Sequence, residues 1–194
     1  MLYDAPQPGA DSAYEWIELH NPTTAAVSLA GWRLRDNTSE DVIPAFTLGP
    51  GECLVVAATA AGFAANHPGF AGHLVTLEAN IGGGLSNTGD RVLLLAPDGA
   101  VVDAMSYGND ATVFDPPCPD APEGSSLARA PAGVDTNSAA DWVLQASPNP
   151  GQAGAASMPT TTATPSSTVT PTPTPTLTLA PTETGTPTDR KSVV

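Results

Sequence analysis

The chain has 194 residues, 20 of them acidic and 6 basic, and a formal net charge of −14. The whole excess lies in residues 1–158, where 18 Asp/Glu face four Arg (4 − 18 = −14) and lysine does not occur. Such a surface repels phosphate backbones and anionic leaflets, which argues against direct nucleic-acid binding, and no apolar run approaches the length that would insert into a membrane.

The opening MLYDAPQPGAD carries neither a basic region nor an apolar one, so it is not a signal peptide. Asp4 to Gly9 is turn material, which reads as a chain cut from something longer. Glu15-Trp16-Ile17-Glu18-Leu19-His20 alternates as a strand, with Ile17 and Leu19 toward the core. Trp16, Glu18 and His20 share the other phase, where Trp16 is either a lid on a sheet edge or an exposed aromatic. Those three residues form a candidate binding surface. Glu15 and Glu18, three apart, point to opposite faces and make no acid/base pair.

Val27-Ser28-Leu29 and Trp32-Arg33-Leu34-Arg35 follow as short strands, with both arginines outward. Residues 36–41 read as a polar loop that lacks the glycine of an EF-hand, and Asn37-Thr38-Ser39 is a formal glycosylation sequon within it. Cys53-Leu54-Val55-Val56-Ala57 is too continuously apolar for a half-wet strand and predicts a central one. The single helix expected covers residues 59–66, capped by Thr59, anchored by Phe63 and stopped at His67-Pro68-Gly69. Gly82-Gly83-Gly84 has neither a dinucleotide fingerprint nor a P-loop lysine and reads as a flexible turn. Residues 91–95 and 100–103 flank Pro97-Asp98-Gly99 as a hairpin. Residues 108–124 form a long Pro/Asp-rich loop, and residues 125–129 and 142–144 are the last strand candidates. Short strands with frequent turn signals and almost no helix predict an all-β, two-sheet sandwich.

Chemistry is harder to find. The three histidines are isolated, and no zinc spacing or nucleophile elbow occurs, so no catalytic residue is assigned and no cofactor is expected. Asp135, Asn137 and Asp141 are candidate ligands for a structural calcium, set against a solvated acidic surface. Cys53, in an apolar run, and Cys118, in the loop, read either as one buried residue and one loop thiol or as a single disulfide. Residues 159–188 hold 14 Thr and 7 Pro without an aromatic, so residues 154–194 are expected to be a disordered Thr/Pro-rich linker or stalk behind a domain at 1–153.

Leu2-Tyr3-Asp4, Glu15-Trp16-Ile17-Glu18-Leu19, Leu29-Ala30-Gly31-Trp32-Arg33-Leu34, Leu85 through Leu95 with Asn87-Thr88-Gly89-Asp90, Gly99 through Asp103, and Asp141-Trp142 followed by Ser147-Pro148-Asn149-Pro150-Gly151 together resemble a bacterial lamin-tail domain. The resemblance covers about residues 2–153. It implies an immunoglobulin-like β-sandwich without catalytic residues, used as an accessory module of secreted or surface proteins. It also implies a first strand ahead of Leu2 that this sequence lacks, leaving a sheet edge unpaired.

The sequence therefore predicts a non-catalytic structural, adhesive or protein-interaction module, extracellular or on the cell surface, whose partners are other protein domains or surface components. Two other readings stand beside it. One is an accessory fragment of a larger secreted hydrolase of nuclease or phosphoesterase type; the other is a carbohydrate- or protein-binding module using Trp16 or the 108–124 loop.

Overall fold

The computed structural model describes residues 1–152; the expected Thr/Pro-rich segment 154–194 lies outside the described residues. The strands are β1 (Trp16–His20), β2 (Val27–Ser28), β3 (Arg33–Arg35), β4 (Glu40–Val42), β5 (Thr47–Leu48), β6 (Cys53–Ala57), β7 (His73–Thr76), β8 (Gly89–Leu95), β9 (Val101–Gly108), β10 (Ser126–Arg129) and β11 (Trp142–Gln145). One helix, α1 (Ala60–Asn66), joins β6 to β7.

One sheet has the order β1-β6-β7 and the other β4-β3-β8-β9, with β2-β5 and β10-β11 as two-stranded pairs. Ile17, Leu54 and Val56 from the first sheet meet Leu34, Val92, Met105 and Tyr107 from the second in one apolar core. The result is the expected two-sheet sandwich. β6 is the central strand, with Leu54 to Ala57 wholly buried, because both of its faces are covered. Its outer face carries a second cluster of Trp16, Val55, Ala57 and Phe63 beneath α1.

The helix is specified locally. Thr59 Oγ1 accepts the Gly62 N–H at 2.9 Å and donates to the Ala13 carbonyl at 2.9 Å. Residue 62 must be glycine, since a Cβ there would collide with that same backbone carbonyl. Because α1 turns the chain back over the sheet, β7 pairs with β6 in parallel, from Leu54 opposite His73 to Ala57 opposite Thr76.

Several expectations change. Residues 36–41 are more than a polar loop: Glu40–Val42 pairs with β3, and Asp36 is buried at the hairpin turn. The cysteine environments are exchanged, with Cys118 fully buried in the core and Cys53 half-buried, and no disulfide joins them. Phe114, Cys118 and Ala121 draw the 108–124 loop onto the core, and burial pushes the Cys118 thiol up to about 11. Trp16 is 3% exposed, which makes it a lid over the second cluster rather than an exposed aromatic.

Residues 1–2 extend the first sheet. Leu2 exchanges backbone hydrogen bonds with Trp16 at 2.9 and 3.1 Å. Met1 does the same with Leu127, its α-amino group donating at 2.7 Å and its carbonyl accepting at 3.0 Å. This short segment therefore lies between β1 and β10 and ties β10-β11 to the edge of β1-β6-β7.

Candidate functional site

Among the described residues, some carboxylates organise loops and others line a groove. Around residues 82–86 four carboxylates accept backbone N–H groups. Asp41 takes Gly82 at 2.6 Å, Asp36 takes Gly83 at 2.6 Å, Glu15 takes Leu85 at 3.2 Å and Asp90 takes Ser86 at 3.3 Å. The three glycines are thus a held loop, where sequence alone reads a flexible turn. Gly82 has φ +60°, and a side chain on it would run into the Asp36 carboxylate.

Environment sets the charge of each carboxylate. Burial works against ionisation of Asp36, but the N–H groups of Ser39, Thr38 and Gly83 outweigh it and its pKa is lowered. For Glu15, 1% exposed, burial dominates and only Leu85 opposes it, so its pKa rises to about 8. Glu15 is consequently protonated at neutral pH. Burial also raises Asp90, against N–H groups from Arg91 and Ser86.

The groove lies on the other side of β1. It has a volume of about 320 Å³ and runs between the outer edge of β1 and the β10-β11 pair, with Leu94 and Val102 among its lining residues. Glu18 and His20 line it from β1, and Arg129 and Trp142 from β10 and β11. Arg129 is fixed by Asp103, which accepts from both terminal nitrogens at 2.9 and 3.0 Å, and by Asp135 at 3.4 Å; its guanidinium lies 4.9 Å from the Trp142 ring centre. Glu18 accepts the Gly151 N–H. Seven side-chain atoms are buried without a hydrogen-bond partner among the described residues; Trp16 Nε1, His20 Nδ1, Arg129 Nε and Trp142 Nε1 belong to residues that line the groove, and Glu15 Oε1, Arg33 Nε and His67 Nε2 do not.

The three residues of the candidate binding surface all line this groove, although Trp16 cannot offer its ring as a platform. It makes edge contacts with Phe63 and His67, at 6.3 and 5.7 Å between ring centres. The calcium candidates have other engagements. Asp141 accepts from Thr136 N–H and Oγ1, each at 2.7 Å, which lowers its pKa, and Asp135 accepts from Asn137 N–H at 2.9 Å. Among the described residues no group of three or more His, Cys, Asp or Glu is placed to hold a metal ion.

The profile of the Lamin Tail Domain family matches residues 2–109. The chain belongs to this family. It is an immunoglobulin-like domain of a kind that is typically non-catalytic, which agrees with an interaction module. No curated protein matches the chain. β10 and β11, which form one wall of the groove, lie beyond the matched residues. Among the described residues no helix is long and apolar enough to cross a membrane. Sequence reasoning missed Arg129 as a groove residue; its neighbour Trp142 and the lone positive charge in residues 92–158 were the available signals.

Proposed function

We infer that this lamin-tail domain is a non-catalytic protein-interaction module that uses the groove beside β1. The observation carrying this reading is the groove itself, about 320 Å³ in volume and lined by apolar Leu94 and Val102 together with Glu18, His20 and Arg129. The carboxylates elsewhere hold loops instead of converging on a reacting centre.

The module acts outside the cell, on the cell surface or within a secreted protein. What supports this is composition: an acidic, lysine-free domain followed by a Thr/Pro-rich tract of the kind used in extracellular stalks. The test is an assay of the 194-residue chain against ester, phosphoester and glycoside substrates with and without divalent cations. No turnover is expected, and metal-dependent hydrolysis by the purified chain would overturn the reading.

A further inference from the structure

The two halves of the loop between β7 and β8 are held unequally. Gly82 and Gly83 donate to Asp41 and Asp36 at 2.6 Å each, whereas Leu85 and Ser86 donate to Glu15 and Asp90 at 3.2 and 3.3 Å. The first pair lies at the short end of the usual N–H···O range and the second at its long end. Between the halves stands Gly84, at φ +100°, whose own N–H donates to Ile81 at 3.0 Å.

Glu15 is the weak point of the second half. Its side chain is 1% exposed, Oε2 accepts from Leu85, and Oε1 is buried without a hydrogen-bond partner among the described residues. The titratable groups that face it are Asp11 ahead of β1, Asp36 at the β3–β4 turn, Asp90 on β8 and Tyr107 on β9. None of these four is a cation, and three are carboxylates. Asp90 is itself buried, and that burial raises its pKa. From the end of β6 comes a backbone contact, the Ala58 N–H donating to the Glu15 carbonyl at 3.0 Å. Ionisation would leave the Glu15 carboxylate with one long N–H bond and like-charged neighbours, so the interior holds it only while it is neutral.

We propose that Glu15 is a pH-operated latch on Leu85 and Ser86: neutral, it holds them against the sandwich, and ionised, it leaves the interior and lets them swing out about Gly84. Gly82 and Gly83 stay in place. Burial at Asp36 is outweighed by the N–H groups of Ser39, Thr38 and Gly83, which keep that carboxylate ionised and bonded. The swing uncovers Leu85, 4% exposed in the closed form and part of the main core, and withdraws the Ser86 carbonyl from the Tyr107 hydroxyl that donates to it at 2.9 Å. Exposing Leu85 opposes the opening, so the open form stays a minor state of a folded domain. The latch lies away from the groove and is independent of the interaction reading.

In the open form Glu15 is a solvated carboxyl with its ordinary value of 4.5, while burial in the closed form raises it to about 8. The open form therefore ionises first. Its population rises by about tenfold per pH unit from about pH 5 to about pH 8 and then levels off.

The test is native-state amide exchange of the 194-residue chain between about pH 5 and 9, expressed as protection factors, with and without dilute urea. Protection at Leu85 is expected to fall by about tenfold per pH unit up to about pH 8 and to be unchanged by about 1 M urea. Gly83 and Val56 should be better protected at every pH and should respond to urea, because only larger openings expose them. Glu15→Gln is expected to make Leu85 protection independent of pH. Three results would overturn the latch. They are a Leu85 protection factor that does not change with pH, a urea response at Leu85 equal to that of Val56, which would make the opening global, and a pH slope that survives in Glu15→Gln. The first two use the native chain alone and decide the matter whatever the variant does.

Discussion

Residues 15 and 20 lie a single strand apart and in opposite circumstances. At Glu15 the chain is closed: with Asp36, Asp41 and Asp90 it accepts the N–H groups of a glycine-rich loop and fixes it against the sandwich. At His20 the chain is open, with an outward backbone edge that no described residue meets. The difference shows how one acidic sequence serves two ends. Carboxylates enclosed by backbone N–H groups determine structure, and polar groups left along a groove are available to something outside.

The sharpest way to break the closed end is through Glu15. Its folded pKa of about 8 stands above its ordinary value of 4.5, so the neutral form is the one the fold favours. The stabilisation is complete below pH 4.5 and is lost progressively as pH rises to about 8, because the unfolded chain ionises first. Glu15→Gln, which stays neutral, should remove that slope and exceed the native chain in stability at pH 8 and above by on the order of 3–5 kcal/mol. Urea unfolding of both proteins across pH 4–9 gives the difference; parallel pH profiles would show that Glu15 is not held neutral.

Next in size is Asp36→Ala, which strands the N–H groups of Thr38, Ser39 and Gly83 together and should cost about 3 kcal/mol in chemical denaturation. A loss within experimental error would mean that water replaces the carboxylate freely. On the open side, Arg129→Ala removes a bidentate partner of Asp103 and the cation above Trp142. A loss of about 1–2 kcal/mol is expected, and a shift in Trp142 fluorescence should accompany it. The smallest effect belongs to His20→Ala. A half-buried ring with no partner for Nδ1 should change stability by no more than about 0.5 kcal/mol, as thermal unfolding would reveal.

The strands were legible because their signals are local. The alternation of Ile17 and Leu19, the unbroken Cys53–Ala57 run and the Pro97-Asp98-Gly99 hairpin each depend on neighbours in sequence, and each lies where the pattern places it. The helix was legible for the same reason, through Thr59, Phe63 and the stop after Asn66. The failures are all non-local. Glu15 is buried because residues about 70 positions away bring Leu85 N–H to it, and nothing in its own surroundings marks it as a neutral acid. Cys118 is buried because a Pro-rich loop folds onto the core, whereas local hydropathy points to Cys53. The groove was half legible. Trp16, Glu18 and His20 stood out by phase, but the opposite wall comes from β10 and β11, more than 100 residues on, and the openness of both edges appears only when the register is counted.

Amide hydrogen exchange of the free 194-residue chain measures that openness most directly. Ile17 and Leu19, whose N–H groups face β6, should be protected, whereas Glu18, His20 and Arg129 should exchange about a hundredfold faster. Uniform protection along β1 and β10 would mean that the edges are already covered, and the groove would not be a binding slot.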